Sequence, residues 1–252
     1  MTLWSAFDRA YSDSWRFVVA LPLIALAIVG FEGLQHLAEW HIGLYADAHA
    51  ARATADHPLR MIPGYAKIAW LLVIQFWVTR FMVGRSARRA LAAPASAVRA
   101  FALVLVVQLA LALLTLRLPA LLQAMAGLEH RQAAAAGLVF ALVTGPLGIA
   151  LIPWTVGAAL GDPRASPAFA LRQARIGPIL WGLVFTAVAT LPPFLGHMVL
   201  GLGAIGRPPV QAIPMLVVDA VLVGFLGVVT SAIQVQIAAR MAARDGETLV
   251  LA

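Results

Sequence analysis

Residues 101–116 read FALVLVVQLALALLTL, a run in which Gln108 and Thr115 are the only polar side chains. A helix needs about 20 mostly apolar residues to cross the roughly 30 Å hydrocarbon core of a bilayer. Of all 252 residues, 62% are hydrophobic and 12% are charged, whereas soluble domains are usually about 45–50% apolar and about 25% charged. The sequence therefore predicts an all-α polytopic membrane protein.

Apolar stretches of similar length recur along the chain. We predict six transmembrane helices, arranged as three hairpins in a single integral membrane domain, residues 1–252. The predicted spans are 16–37, 65–84, 98–119, 136–160, 177–203 and 212–239. Internal prolines predict kinks in the fourth and fifth spans. In the last span, Gly224 and Gly227 favour close helix packing.

The basic residues indicate which side of the membrane each loop faces. Of the 18 Lys and Arg residues, twelve fall on the predicted side that holds both termini, and six fall on the other. Because cytoplasmic loops are enriched in Lys and Arg, we expect both termini on the cytoplasmic side of a bacterial inner membrane. The net charge of +7 lies mainly at span ends. We therefore expect membrane lipids as partners, with other membrane-protein subunits or a second copy of the chain, and no nucleic acid.

Three Ala-rich segments that contain arginine lead directly into spans, starting at Ser5, Ala93 and Ser166. Each predicts a short amphipathic helix at the cytoplasmic interface. Ser166 followed by Pro167 is typical of a helix start, with serine as the N-cap and proline in the first turn. The alternative is that the likeness of the three segments reflects only the abundance of Ala and Arg.

Two stretches resemble the layout of known bacterial six-span proteins. They are SPAFALRQARIGPILWGLV, residues 166–184, and IQVQIAARMAARDGE, residues 233–247. The resemblance is to the YciC-like proteins and to the membrane domain attached to some glycerophosphodiester phosphodiesterases. It implies an inner-membrane protein with no catalytic residues to carry over. The soluble phosphodiesterase domain has no counterpart in these residues, so its activity is not transferred.

Five ionisable residues fall within the spans or at their ends, and the predicted topology places them in the outer half of the bilayer. They are Glu32, His36, Arg117, His197 and Asp219. Such groups cost about 2.5–3.5 kcal/mol or more at the bilayer centre and usually face protein or a water-filled cavity. We predict an outward-facing polar pocket that binds a ligand, with Asp219 paired to Arg117 or His197. The alternative is that Glu32, His36 and Arg117 lie among headgroups.

Glu32, His36 and Glu39 are spaced i, i+4 and i+7, so they share one helix face. Carboxylates and imidazoles bind metals, but a competent site also needs ligands from other helices. We therefore expect no metal and no cofactor. The long loop at 38–64 is compatible with a helix, and we expect it to form an amphipathic helix or a cap on the outer side.

Motifs of catalysis are absent from the sequence. It contains no G-x-S-x-G, no H-E-x-x-H and no P-loop. With no cysteine, it has no thiol nucleophile and no disulfide. We expect a non-catalytic structural, assembly or regulatory component of a membrane complex. The alternative is a transporter or binding subunit that receives a lipid-like or small hydrophobic ligand in the polar pocket.

Overall fold

The computed structural model describes residues 2–251, apart from the side chain of His130, and all regular secondary structure in this range is helical. The prediction of an all-α protein is therefore confirmed. The helices in chain order are α1 (Leu3–Ala20), α2 (Pro22–His41), α3 (Ala48–Ala53), α4 (Pro58–Gly84), α5 (Ala87–Leu91), α6 (Ala95–Ala126), α7 (His130–Leu160), α8 (Pro167–Gln173), α9 (Ile176–Gly203) and α10 (Pro209–Arg244).

Several of these helices are suited to a membrane. Within the described residues, α4, α6, α7, α9 and α10 are each long and apolar enough to cross a bilayer. Helices α1 and α2 qualify only as a pair, bent by 97° at the break between them. Five helices, or six if the bent pair counts as one, are therefore able to span a membrane, which indicates a membrane protein with several spans.

The first predicted span, 16–37, is not one continuous helix. Helix α1 ends at Ala20 and α2 begins at Pro22. Proline lacks the N–H that would continue the helical hydrogen bonds, and it disfavours the helical conformation in the residue before it. Leu21 accordingly adopts φ −136° and ψ 57°. The prolines inside α7 and α9, by contrast, lie within uninterrupted helices.

Helix α1 packs on the bundle through both apolar and polar contacts. Its small and aromatic side chains Ala6, Ala10 and Phe17 belong to the main hydrophobic core. The hydroxyl of Tyr11 donates a 2.8 Å hydrogen bond to the carbonyl of Ala189 in α9. The helix is therefore fixed to the bundle along its inner face.

Helix α10 lies at the centre of the bundle and contacts α1, α2, α4, α7 and α9. Half (50%) of its most apolar stretch is buried. A Cβ atom at Gly227 would lie 2.3 Å from Leu71 Cδ2, and one at Gly224 would lie 2.6 Å from Val29 Cγ2. The expectation that these two glycines serve close packing is confirmed.

Helix α6 packs mainly on α7, which also contacts α4, α8, α9 and α10. Only 17% of the most apolar stretch of α6 and of α7 is buried, and large side chains such as Leu103, Val106 and Leu142 are exposed. These two helices therefore present most of their apolar surface outward. They contrast with α10, in which half (50%) of the most apolar stretch is covered by other parts of the chain.

The segments that precede the spans differ from one another. The segment from Ser166 forms the separate helix α8, in which Ser166 Oγ accepts a 3.1 Å hydrogen bond from the N–H of Phe169 and Pro167 occupies the first turn. The predicted helix start is thus confirmed. The segment from Ala93 instead belongs to α6, which begins at Ala95 and continues into the span.

Candidate functional site

One face of α2 carries polar side chains that are buried inside the protein: Glu32, Gln35, His36 and Glu39. Because a helix has 3.6 residues per turn, these positions point in one direction. They border a cavity of about 430 Å³ that is also lined by residues of α4, α9 and α10. The shared face seen in the sequence therefore faces the interior.

His36 lies among the polar groups of this cavity. Its Nε2 lies 3.0 Å from Asp219 Oδ2 and 3.6 Å from Glu32 Oε1. Its Nδ1 lies 3.1 Å from Glu39 Oε2 and 2.8 Å from the hydroxyl of Tyr45. Both ring nitrogens therefore face carboxylate oxygens, on α2 itself and on α10.

Asp219 connects two imidazoles from different helices. It is 0% exposed, and its Oδ1 lies 2.8 Å from His197 Nδ1 while its Oδ2 contacts His36. Of the two partners expected for Asp219, the structure places His197 beside it. This carboxylate therefore links α2, α9 and α10 at one point.

Arg117 does not lie with these residues, contrary to the expectation. Its guanidinium group lies over the ring of Tyr65, 5.3 Å from the ring centroid, and it is not among the residues that line the cavity. Helix α6, which carries it, packs chiefly on α7 and to a smaller extent on α4. Equal predicted depth in the membrane does not determine which helices are neighbours.

Two cations of α4 also lie at the cavity. They were not predicted from the sequence as part of the site. Lys67 pairs with Glu32, and Arg60 Nε donates to Glu39 Oε1 at 2.8 Å. These positions are seven residues apart and therefore lie on one helix face, a spacing visible in the sequence. We call the charged and imidazole groups around the cavity the ionisable cluster: Glu32, His36, Glu39, Arg60, Lys67, His197 and Asp219.

The loop after α2 covers part of the cavity. The buried hydroxyl of Tyr45 donates a 2.5 Å hydrogen bond to Glu39 Oε2. The backbone carbonyl of Tyr45 accepts a 2.8 Å hydrogen bond from the N–H of Gly206, in the turn between α9 and α10. Burial and the negative charge of Glu39 raise the pKa of Tyr45 above its ordinary value, so the hydroxyl remains a donor. The cap expected of residues 38–64 takes the form of this packed loop and the short helix α3.

Three members of the ionisable cluster offer ligand atoms for a metal ion. Glu32, His36 and Asp219 each place one oxygen or nitrogen within 4.8 Å of the other two. The sequence put Glu32 and His36 on a shared face, and the structure adds Asp219 from α10. That residue is the ligand from another helix that spacing along α2 did not supply.

The polar side chains that line the cavity are carboxylates, imidazoles, an amide, a tyrosine hydroxyl and two cations. In the part of the chain that the structure describes, no serine, threonine or cysteine lines it. The buried hydroxyl of Ser231 instead donates to the carbonyl of Gly227, four residues earlier in α10.

Comparisons of this chain with models of protein families, with curated proteins and with solved structures find no match.

Proposed function

We propose that this chain is a non-catalytic membrane protein that binds a lipid-like ligand, with the ligand's polar group in the cavity of the ionisable cluster. The observation that carries the proposal is an apolar groove beside that cavity. The groove measures about 770 Å³ and lies between α2 and α10. His36 lines both the groove and the polar cavity, so one molecule with a polar end and an apolar end can occupy both.

Small residues on α2 shape the groove. At Gly30 and Gly33 no atom lies within 4 Å of the position that a Cβ would take. The opposite wall is formed by apolar side chains of α10, including Val217 and Val221. An acyl chain suits such a surface because, apart from His36 and Trp40, the side chains that line the groove carry no polar group.

The cations of the cavity indicate the charge of the polar group. Arg60 and Lys67 have side chains 31% and 15% exposed, whereas Glu32 and Asp219 are 1% and 0% exposed. The accessible part of the cavity is therefore its positive part. A phosphate or carboxylate attached to an acyl chain would be attracted there, since arginine and lysine both bind such anions.

The test uses groove filling with a matched control. Gly33→Leu places a side chain in the groove, and Gly145→Leu makes the same change on α7, where the glycine lines a different cavity of about 410 Å³. In native mass spectrometry from a mild detergent, we expect wild type and Gly145→Leu to retain an anionic lipid and Gly33→Leu to lose it. Equal retention by all three proteins, or none by wild type, would overturn the proposal.

The second candidate function is a structural, assembly or regulatory role in a membrane complex. The observation that favours it is the outward apolar surface of α6 and α7, each only 17% buried over its most apolar stretch. A second membrane protein or a second copy of the chain would be accommodated on that surface. Native mass spectrometry in the same detergent tests this role, because it predicts a stoichiometric partner whereas lipid binding alone leaves a monomer.

The proposed arrangement is three hairpins, with interfacial helices, in the inner (cytoplasmic) membrane of a bacterium. It is supported by the extensive contacts of α2 with α4, α6 with α7 and α9 with α10, and by the bias of basic residues in the sequence. Both termini would then be cytoplasmic and the ionisable cluster would lie towards the outer side. The YciC-like resemblance is part of the same proposal, and labelling of terminal tags in intact cells and in lysed cells tests the orientation.

A further inference from the structure

The ligand atoms of three buried side chains converge on one point. His36 Nε2 lies 3.0 Å from Asp219 Oδ2 and 3.6 Å from Glu32 Oε1. In a tetrahedral zinc site with bonds of about 2.0–2.1 Å, neighbouring ligand atoms lie about 3.4 Å apart. The two distances from His36 lie on either side of that spacing, and the ligand atoms of all three side chains lie within 4.8 Å of one another.

We propose that Glu32, His36 and Asp219 bind one first-row divalent transition-metal ion of the zinc class. Two carboxylates and one imidazole provide three ligands, and a fourth position opens onto the cavity. The imidazole favours zinc and its neighbours in the periodic table over magnesium and calcium, which prefer oxygen ligands alone.

A second observation supports the proposal independently of the spacing. Each of the three ligands is held by an outer partner through the atom that does not face the common point. His36 Nδ1 contacts Glu39, Asp219 Oδ1 contacts His197, and Glu32 Oε2 contacts Lys67. Partners of this kind orient the ligands of metal sites, most often as a carboxylate on the second nitrogen of a histidine.

The partner of His36 is itself firmly positioned. Glu39 accepts hydrogen bonds from Tyr45 at 2.5 Å, from Arg60 at 2.8 Å and from Gln35 at 2.9 Å. With Glu39 fixed and its Oε2 facing Nδ1, the imidazole presents Nε2 to the two ligand carboxylates. Glu39 is therefore a positioning residue and not a ligand.

The charges around the site are compatible with a divalent cation. The ionisable cluster contains three carboxylates, and its permanent cations are Arg60 and Lys67. The imidazoles of His36 and His197 and the hydroxyl of Tyr45 are the remaining titratable groups that face the site. The side chain of His197 is 31% exposed, which leaves a route from the cavity to the ligands.

The ion site does not rest on the proposed lipid-like ligand. It uses the buried carboxylates, whereas the lipid proposal rests on the groove and on the more exposed cations. Gly33→Leu, which fills the groove, is therefore expected to leave metal binding unchanged. Asp219→Asn removes a metal ligand that does not line the groove, so the two proposals fail separately.

The experiment measures metal binding to the whole protein in mild detergent. After removal of metals with a chelator, Zn²⁺, Co²⁺ and Mg²⁺ are added separately and the bound metal is counted by elemental mass spectrometry and by calorimetry. We expect one Zn²⁺ per chain, a Co²⁺ absorption spectrum of tetrahedral type, and weaker binding of Mg²⁺. Absence of Zn²⁺ binding by folded wild type, or a preference for Mg²⁺, would overturn the proposal.

Variants assign the ligands. His36→Gln and Asp219→Asn are expected to weaken Zn²⁺ binding at least 100-fold, and Glu39→Gln about 10- to 100-fold, as is typical of outer partners. His49→Gln, an exposed histidine of the covering loop, is the matched control and should bind as wild type does. If His36→Gln binds like wild type, or if only His49→Gln loses the ion, the site is not the one proposed.

The Co²⁺ spectrum of wild type keeps the test decisive if a variant does not fold. A tetrahedral spectrum requires the ion to be held by protein ligands in folded wild type, whatever the variants do. Zn²⁺ should also raise the unfolding temperature of wild type in proportion to its binding. A spectrum of hexahydrated cobalt, with no change in unfolding temperature, would contradict the site without any variant.

Discussion

Two cavities of nearly equal volume lie in this bundle, and they differ in charge. The cavity of the ionisable cluster measures about 430 Å³ and the second about 410 Å³. The polar residues that line the second are all neutral: Gln108, Thr115, Thr144, Thr155, Thr186, Thr230 and Gln234. Volume alone therefore does not distinguish a site from a gap in packing.

The hydrogen bonds of the two cavities also differ in reach. In the neutral cavity, Thr115, Thr144 and Thr230 each donate to the carbonyl four residues earlier, at 2.8 Å. Such a hydroxyl is satisfied by its own helix. In the ionisable cluster, by contrast, Asp219 bonds to side chains of two other helices. The neutral cavity also has hydrogen bonds between pairs of helices, from Gln108 to Thr155 and from Gln75 to Gln234, whereas Asp219 joins three helices at one carboxylate.

The largest expected effect comes from removing the central charge. Asp219→Asn breaks a buried ionic network, and we expect it to lower the free energy of unfolding by about 3–5 kcal/mol, as is usual when one partner of a buried pair is removed. Thr230→Val, on the same helix but in the neutral cavity, is expected to cost less than about 1 kcal/mol. Thermal unfolding in detergent measures both, and equal losses would remove the distinction between the cavities.

A smaller effect is expected at the rim of the ionisable cluster. Lys67→Met leaves the buried carboxylate of Glu32 without its cation, and we expect a loss of about 2 kcal/mol in unfolding free energy. Adding Glu32→Gln removes the unpaired charge, so the double variant should recover most of that loss. Chemical unfolding followed by tryptophan fluorescence measures the three proteins. A double variant less stable than Lys67→Met would show that the pair is not coupled as described.

The smallest expected effect is the loss of one helix cap at low pH, in the loop that covers the ionisable cluster. Hydrogen bonds from the backbone N–H groups of Ala50 and His49 hold the pKa of Asp47, the N-cap of α3, below its ordinary value. Its contribution to stability is therefore present above its unfolded pKa of about 3.9 and is lost as the pH falls through the lower folded pKa. Helix α8, whose N-cap is the uncharged Ser166, is the internal control.

Hydrogen exchange at pH 5 and pH 3, corrected for intrinsic rates, measures this difference. We expect exchange in α3 to accelerate at the lower pH and exchange in α8 to change little. Asp47→Asn should abolish the acceleration, because asparagine does not titrate. Equal acceleration in both helices would indicate general acid unfolding and not the loss of one cap.

Much of the fold was accessible from the sequence because the bilayer imposes a simple rule. Long apolar runs predicted every helix that is able to cross a membrane, since backbone groups in lipid must be satisfied within the helix. That rule did not predict the break in the helix at Leu21. Pro22 lies inside an apolar run, and hydropathy does not register the loss of one backbone N–H.

The site was predicted only in part. Spacing along α2 placed Glu32 and His36 on one face, and the energetic cost of ionisable groups in a bilayer singled out Asp219 and His197. The prediction that Arg117 belongs to the site was wrong, because depth in the membrane does not specify which helices are neighbours. Tyr45 was missed for a related reason, since its contact with Glu39 depends on how a loop folds back over α2.

The central claim is that side chains from separate helices form one coupled cluster around His36 and Asp219. A double-mutant cycle with His36→Gln and Asp219→Asn tests it most directly, through the unfolding free energy of the two single variants and the double variant in one detergent. We predict that the double variant loses less than the two single losses added together, by at least about 1 kcal/mol, as residues in one network do. Losses that add within about 0.3 kcal/mol would contradict the cluster.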